Sequence, residues 1–175
     1  GGSCFQKDIL NLVYLCKFYE LDQVAEYWHQ VVKINDYQKE RFAQKIIDHF
    51  DGDFTGKTIA ILGWAFKANT NDSRESAAIK VSEILYKSGA SLSIYDPKVQ
   101  KKTIFKDIEN LWGVNSDFTE NRIDIHGKLS DIKKVDAYVI LTEWEEFKLI
   151  DNKESKVIFD GRNINQNQNK FSIGK

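Results

Sequence analysis

Cys4 is the residue best placed to do chemistry. It follows Gly1-Gly2-Ser3 and precedes Phe5-Gln6-Lys7-Asp8, and Ser3 with Gln6 reads as an S-x-x-Q capping box. Ser3 would then be the N-cap and Cys4 the first helical residue. Its sulfur would lie near unpaired backbone N–H groups at the positive end of the helix dipole, a setting that favours thiolate. Lys7 at i+3 adds positive charge. Asp8 at i+4 opposes it, and shares a face on which it could accept a proton or hold a water. The same residues also fit a small buried cysteine beside a solvated Lys-Asp pair, and Gly1-Gly2-Ser3 could be a cloning remnant that makes the cap accidental.

A second group gathers at the ends of candidate strands. Gly63-Trp64-Ala65-Phe66-Lys67 follows the apolar run Thr58–Leu62, so Lys67 could reach a phosphate and Phe66 could pack on a base or ring. This loop is neither G-x-G-x-x-G nor a P-loop, and a dinucleotide fingerprint is absent. Asp96 closes the run Ser91–Tyr95, where a ribose-binding acid could stand or an Asp-Pro turn could form. Arg74 falls in the first turn of a helix expected over 73–88, started by Asp72 with Glu75 three residues on. Cations suit the other end of a helix, so a ligand, a carboxylate partner or plain exposure must account for it. Arg162, after the run Val157–Asp160, could fork onto a phosphate or hold a structural ion pair. His29, His49 and His126 show no metal-ligand spacing with each other or the cysteines, so no metal site is expected. Trp28, Trp64, Trp112 and Trp144 read as core or interface residues.

These residues need a frame to hold them. The first third has helical spacing and no Gly or Pro after Gly2, which gives one helix over 3–19 and a second over 22–50, unless the second breaks near Asn35-Asp36. A helix of that length usually buries a face against another subunit or domain, and a homodimer through about 24–50 is expected. Beyond Asp51-Gly52-Asp53, strands at 58–62, 91–95, 123–126, 137–141 and 157–160 alternate with helical stretches at 73–88, within 99–118, at 131–134 and at 145–149. The α/β class that follows is a pair of long N-terminal helices and a Rossmann-like parallel sheet with helices on both faces. Its expected units are 1–53, 54–165 and a loose polar tail at 166–175. Ligands in such sheets sit beyond the carboxyl ends of the strands.

Composition removes whole classes. The chain has 175 residues, 42% hydrophobic and 29% charged, with a formal charge of −1. That suits one folded domain or one plus an appendage, and argues against global disorder, nucleic-acid binding and attraction to anionic membranes. No apolar run reaches the ~18–20 residues of a membrane helix. Cys4 and Cys16, twelve apart, would stand about 18 Å from each other on one helix, too far to bridge, so a reducing, cytoplasmic setting is expected. The chain has no Met and opens on Gly, which suggests a processed product or a piece of something longer.

Four motifs, in order, resemble those of the nucleotide-sugar dehydrogenases, the UDP-glucose/GDP-mannose dehydrogenase family. They are Gly1–Asp8; Gly63–Lys67 with Thr70, Asp72 and Arg74-Glu75-Ser76; Tyr95-Asp96-Pro97-Lys98; and Thr142-Glu143-Trp144 with Phe159–Arg162. The resemblance covers 1–162 and counts against the cloning-remnant reading. It implies a two-step, NAD-dependent oxidation of UDP-glucose to UDP-glucuronate. Cys4 would attack the intermediate aldehyde, and a thiohemiacetal would become a thioester that water cleaves. By the same resemblance Asp8 assists as base or water-orienting group, Lys7 and Arg74 contact the NAD cofactor, and Gly1, Phe66, Lys67 and Arg162 contact the UDP-sugar. Family members carry a separate N-terminal dinucleotide domain that this sequence lacks, so the chain alone is expected not to turn over UDP-glucose. A dehydrogenase for another nucleotide sugar and a non-catalytic nucleotide-binding, dimerising module are the competing readings.

Overall fold

The computed structural model describes residues 2–113, 121–150, 156–167 and 170–174. Helix α1, Ser3–Phe18, buries Ile9, Val13 and Cys16, the i, i+4, i+7 positions of one face. They pack with Ala25 of α2, Asp22–His49, and with its half-buried Trp28, Val31 and Val32. α2 runs unbroken through Asn35 and Asp36 for 28 residues, about 42 Å. Its first half serves this small core. Its second half sends Phe42, Ala43 and Ile46 into the main core beneath the sheet. One rigid rod therefore ties the segment bearing Cys4 to the α/β body.

The capping box at the start of α1 does not form. Gly2 takes the cap position with φ 96°, no side chain caps the helix, and Ser3 is already its first residue. Cys4 therefore sits second. Only a residue tolerant of positive φ makes this entry cheaply, which explains a glycine there.

Six strands form one parallel sheet in the order β3-β2-β1-β4-β5-β6. They are β1 Thr58–Leu62, β2 Ser91–Tyr95, β3 Ile123–Ile125, β4 Ala137–Ile140, β5 Val157–Asp160 and β6 Lys170–Ser172. β1 and β2 are buried along nearly their whole length, as strands covered on both faces must be. Helices α3, Ala77–Lys87, and α4, Lys101–Trp112, make the β1–β2 and β2–β3 crossovers, and α2, α3 and α4 pack in one row. The expectation of helices on both faces is not met by α-helices in the described part of the returning connections. These hold single 3-10 turns, Leu129–Asp131 and Glu145–Phe147, where short helices were expected at 131–134 and 145–149. The stretch after Gly113 in the expected 99–118 region lies outside the described residues.

Two further expectations are corrected. α3 starts at Ala77, not 73, and Ser76 is its N-cap, its Oγ accepting from the Ala78 N–H at 3.2 Å. The Asp72 carboxylate that was to start the helix is spent on the Arg74 N–H and guanidinium, and Glu75 lies at φ 56°, outside the right-handed helical region. The polar tail is not all loose. Lys170–Ser172 joins the sheet edge as β6, anchored by Lys170 Nζ, 3.0 Å from the fully buried Asp160 carboxylate. Asn165, also buried, donates to the carbonyls of Phe147 and Ile150.

Candidate functional site

The carboxyl ends of β1, β4 and β5 carry the motif residues, and a dense backbone network fixes their loops. Asp96, at the end of β2, is its centre. One carboxylate oxygen accepts from the N–H groups of Trp64 and Ala65 at 2.7 and 3.0 Å and from Trp144 Nε1 at 3.2 Å. The other accepts from the N–H groups of Lys98 and Val99, both at 2.8 Å. A buried carboxylate with five donors is an organiser of loops, and the ribose-acid reading is set aside. Beside it, burial pushes the Tyr95 hydroxyl up to about 12, helped by the Glu146 carboxylate that it meets at 3.2 Å.

The loop after β1 is held at several further points. Thr142 Oγ1 donates to the carbonyl of Ala65 at 2.6 Å, and the Phe66 N–H donates to the carbonyl of Asp72 at 3.0 Å. Arg162 spans three loops: Nε donates to the carbonyl of Leu141 and Nη2 to that of Phe66, both at 2.8 Å. Glu143 stands 3.3 Å from Arg162 Nε through one oxygen and accepts the Ala68 N–H at 3.1 Å through the other. Lys67 is exposed, its ammonium 5.4 Å from the Phe66 ring centroid, a cation–π distance. A small cavity of about 140 Å³, bordered by Leu141, Gly161, Arg162, Gln38 and Lys39, opens between these strand ends and α2.

The start of α1 abuts this network. A Cβ on Gly2 would lie 3.0 Å from the Phe66 ring, so backbone and ring are already in contact. Cys4, Lys7 and Asp8 are all exposed, and they share the i, i+3, i+4 face that the sequence placed them on. Arg74 is exposed too, gripped by Asp72 through Nε at 3.0 Å and Nη2 at 2.8 Å. Those hydrogen bonds are the main reason that Asp72 is held below the usual carboxylate range and Arg74 above the usual guanidinium value; an electrostatic interaction with Cys4 adds a smaller pull on Arg74. The misplaced cation of the sequence reading thus has a carboxylate partner, and its field reaches the cysteine. Gly1 lies outside the described residues. Among the described residues no cluster of His, Cys, Asp and Glu could hold a metal ion, and no helix is long and apolar enough to cross a membrane.

The structure brings Phe66, Lys67 and Arg162 together at one edge and sets the Cys4 helix against them through Gly2. Sequence reasoning did not single out Glu143 or Thr142, although both lie in the quoted Thr142-Glu143-Trp144 run.

Residues 60–167 match the UDP binding domain of the UDP-glucose/GDP-mannose dehydrogenase family. The chain belongs to that family. Among curated relatives of this family, UDP-glucose 6-dehydrogenase of Drosophila melanogaster is 45% identical over 183 residues, an alignment covering 99% of this chain and 38% of the fly protein. The Mus musculus enzyme of the same name is 46% identical, covering 94% of this chain and 35% of its own. The chain therefore spans little more than a third of the relatives it matches. Among solved structures of the family, a UDP-glucose dehydrogenase from Pyrobaculum islandicum superposes with a TM-score of 0.76 at 26% identity, covering 98% of this chain and 37% of that one. A GDP-mannose dehydrogenase from Pseudomonas aeruginosa gives a TM-score of 0.77 at 23% identity over 100% of this chain and 39% of that one, a likeness of fold.

Proposed function

We propose that this chain supplies the nucleophile and the nucleotide-binding edge for the NAD-dependent oxidation of UDP-glucose to UDP-glucuronate. The observation that carries the reading is the contact of Gly2 with the Phe66 ring, since it places the first turn of the Cys4 helix beside the loop that presents Lys67. In that turn the first backbone N–H groups lack helical acceptors and the dipole is positive, and Arg74 lies close enough to interact electrostatically with Cys4, a setting suited to a sulfur nucleophile.

The chemistry runs through carbon 6 of the glucose. Loss of two electrons and two protons turns the primary alcohol into an aldehyde. Cys4 sulfur then attacks it: a C–S bond forms and the carbonyl oxygen takes a proton, giving a thiohemiacetal. A second two-electron oxidation converts this to a thioester. Asp8, on the same helix face, orients a water and accepts its proton as the water attacks; the C–S bond breaks, the thiolate leaves and the carboxylate remains.

NAD, when bound, would supply the electron acceptor, one molecule for each of the two pairs. Exposed Lys7 and the braced, exposed Arg74 fit an anionic cofactor on the side of Cys4 away from the α1–α2 core. On the nucleotide side, Phe66 offers a ring face and Lys67 an ammonium. Arg162 would meet a phosphate through Nη1, because Nε and Nη2 are engaged with carbonyls. Gly1 completes the substrate contacts in this reading. Offering the intact protein NAD with UDP-glucose, a UDP-N-acetylhexosamine or GDP-mannose, and weighing the products by mass spectrometry, tests it. UDP-glucuronate from UDP-glucose is the expected result; oxidation of one of the others in preference would reassign the substrate.

Tyr27, Ile34 and Tyr37 on α2 are 69%, 60% and 57% exposed, and Phe5, Tyr14 and Phe18 on α1 are comparably bare. Bare side chains of this kind suit an interface, and a second copy of the chain packed along α2 would cover those of that helix. Sedimentation at micromolar concentration should then give a dimer or larger, whereas a lone monomer would count against it. Both cysteines are free, as the cytoplasmic setting that belongs to this proposal would keep them.

A further inference from the structure

We infer that Glu143 is a positioning residue for the nucleotide end of the substrate: together with Arg162 it clamps the backbone on both sides of Lys67. The inference rests on the proposed role of Lys67 as a diphosphate contact.

The carbonyl just before Lys67, that of Phe66, receives Arg162 Nη2 at 2.8 Å. The N–H just after it, that of Ala68, is received by Glu143 Oε1 at 3.1 Å. The two side chains that hold these groups face each other, Arg162 Nε standing 3.3 Å from Glu143 Oε2, and Arg162 Nε is tied in turn to the carbonyl of Leu141 just past β4. Lys67 is therefore suspended between two backbone bonds whose outer ends are the halves of one ion pair. Its own side chain is exposed and rests over the Phe66 ring. Ordering a flexible loop when a ligand arrives costs affinity, and a backbone fixed beforehand avoids that cost.

Core packing does not account for Glu143. Its side chain is 37% exposed and that of Arg162 28%, so the pair contributes little to stability as an ion pair. What the carboxylate does uniquely is accept the Ala68 N–H while its charge holds the Arg162 fork turned towards the Phe66 carbonyl. Its effect should therefore be read in binding more than in folding, and should vanish when Lys67 is gone.

A double-mutant cycle tests this, with UDP titrated calorimetrically into the protein and its Glu143→Ala, Lys67→Ala and doubly substituted forms. Glu143→Ala should weaken UDP binding by roughly tenfold, the scale of a lost charge-assisted hydrogen bond, with only a small shift in the thermal midpoint. The double variant should bind no more weakly than Lys67→Ala alone, because coupled residues are not additive. Glu143→Gln keeps an acceptor for Ala68 but loses the charge that faces Arg162, and should recover only part of the loss; it also carries the comparison if the alanine form does not fold. Additive losses, or unchanged affinity in Glu143→Ala while the parent binds UDP, would overturn the clamp alone. A parent protein that does not bind UDP would overturn the nucleotide reading of Lys67, and the clamp with it.

Discussion

Replacing Cys4 with alanine in the intact protein is expected to stop UDP-glucuronate formation while leaving the affinity for UDP unchanged. In the proposed route the acid product requires carbon 6 to be held as a thioester, and the described residues offer no second exposed sulfur for the purpose. Cys16 is 7% exposed, packed on the inner face of α1 with Ile9 and Val13, three turns from the opening of the helix. Loss of a covalent nucleophile removes the whole route, so the rate of acid formation should fall by on the order of a thousandfold or more. Nucleotide affinity should hold because Phe66 and Lys67 on one loop and Arg162 on another are held by bonds that do not involve Cys4. Product assayed by mass spectrometry, beside UDP binding measured calorimetrically, separates the two effects. Cys16→Ala should leave the product intact, with a modest loss of stability from the small cavity.

Gly63→Ala is expected to be the most damaging single-methyl change in the α/β body. Gly63 sits directly after β1 at φ 95°, and an added Cβ would fall 2.4 Å from both Cβ and Oγ1 of Thr142 and 2.8 Å from its backbone nitrogen. Neither partner can yield: Thr142 is fully buried and its hydroxyl is committed to the carbonyl of Ala65. Backbone strain of about 1–3 kcal/mol and overpacking of similar size add to on the order of 4 kcal/mol, a large share of what holds an ordinary domain together, ~5–15 kcal/mol. Gly113→Ala is the control, since Gly113 has φ 65° but open space around its Cβ. It should show backbone strain alone, about 1 kcal/mol. Urea unfolding of the three proteins would check this; equal midpoints for Gly63→Ala and the parent would refute the packing argument.

The sequence was legible where burial alone decides structure. β1, β2, β4 and β5 read directly from apolar runs, because strands buried on both faces leave little room for polar residues. α1 and α2 were visible from apolar spacing and the lack of Gly or Pro. Errors came where polar side chains compete for backbone. Asp72 was read as a helix cap, but its carboxylate serves Arg74, so α3 waits for Ser76. Ser3 and Gln6 matched a capping box, but Gly2 turns against Phe66 and takes the cap position itself. Lys170-Phe171-Ser172 has no apolar run, and becomes β6 because Lys170 reaches a buried Asp160 ten residues back.

The site divides in the same way. The shared face of Cys4, Lys7 and Asp8 follows from helical spacing, and strand-end loops follow from the parallel sheet. Glu143 and Asp96 act on backbone N–H groups, which every residue but proline carries, so no spacing rule announces them. Glu143 is marked only by its place within a quoted motif, and Asp96 by its position at the end of β2, which suggests a ribose acid or a turn and not a loop organiser.

In the proposed route Cys4 carries the sugar. Quenching the intact protein with acid during turnover of UDP-glucose with NAD, then weighing its peptides, tests this. The peptide containing Cys4 should bear the sugar acid as a thioester, in a greater fraction in the Asp8→Asn form, where hydrolysis should be slower. UDP-glucuronate accumulating at full rate with the Cys4 peptide unmodified in both forms, or with the adduct on Cys16 instead, would contradict the account.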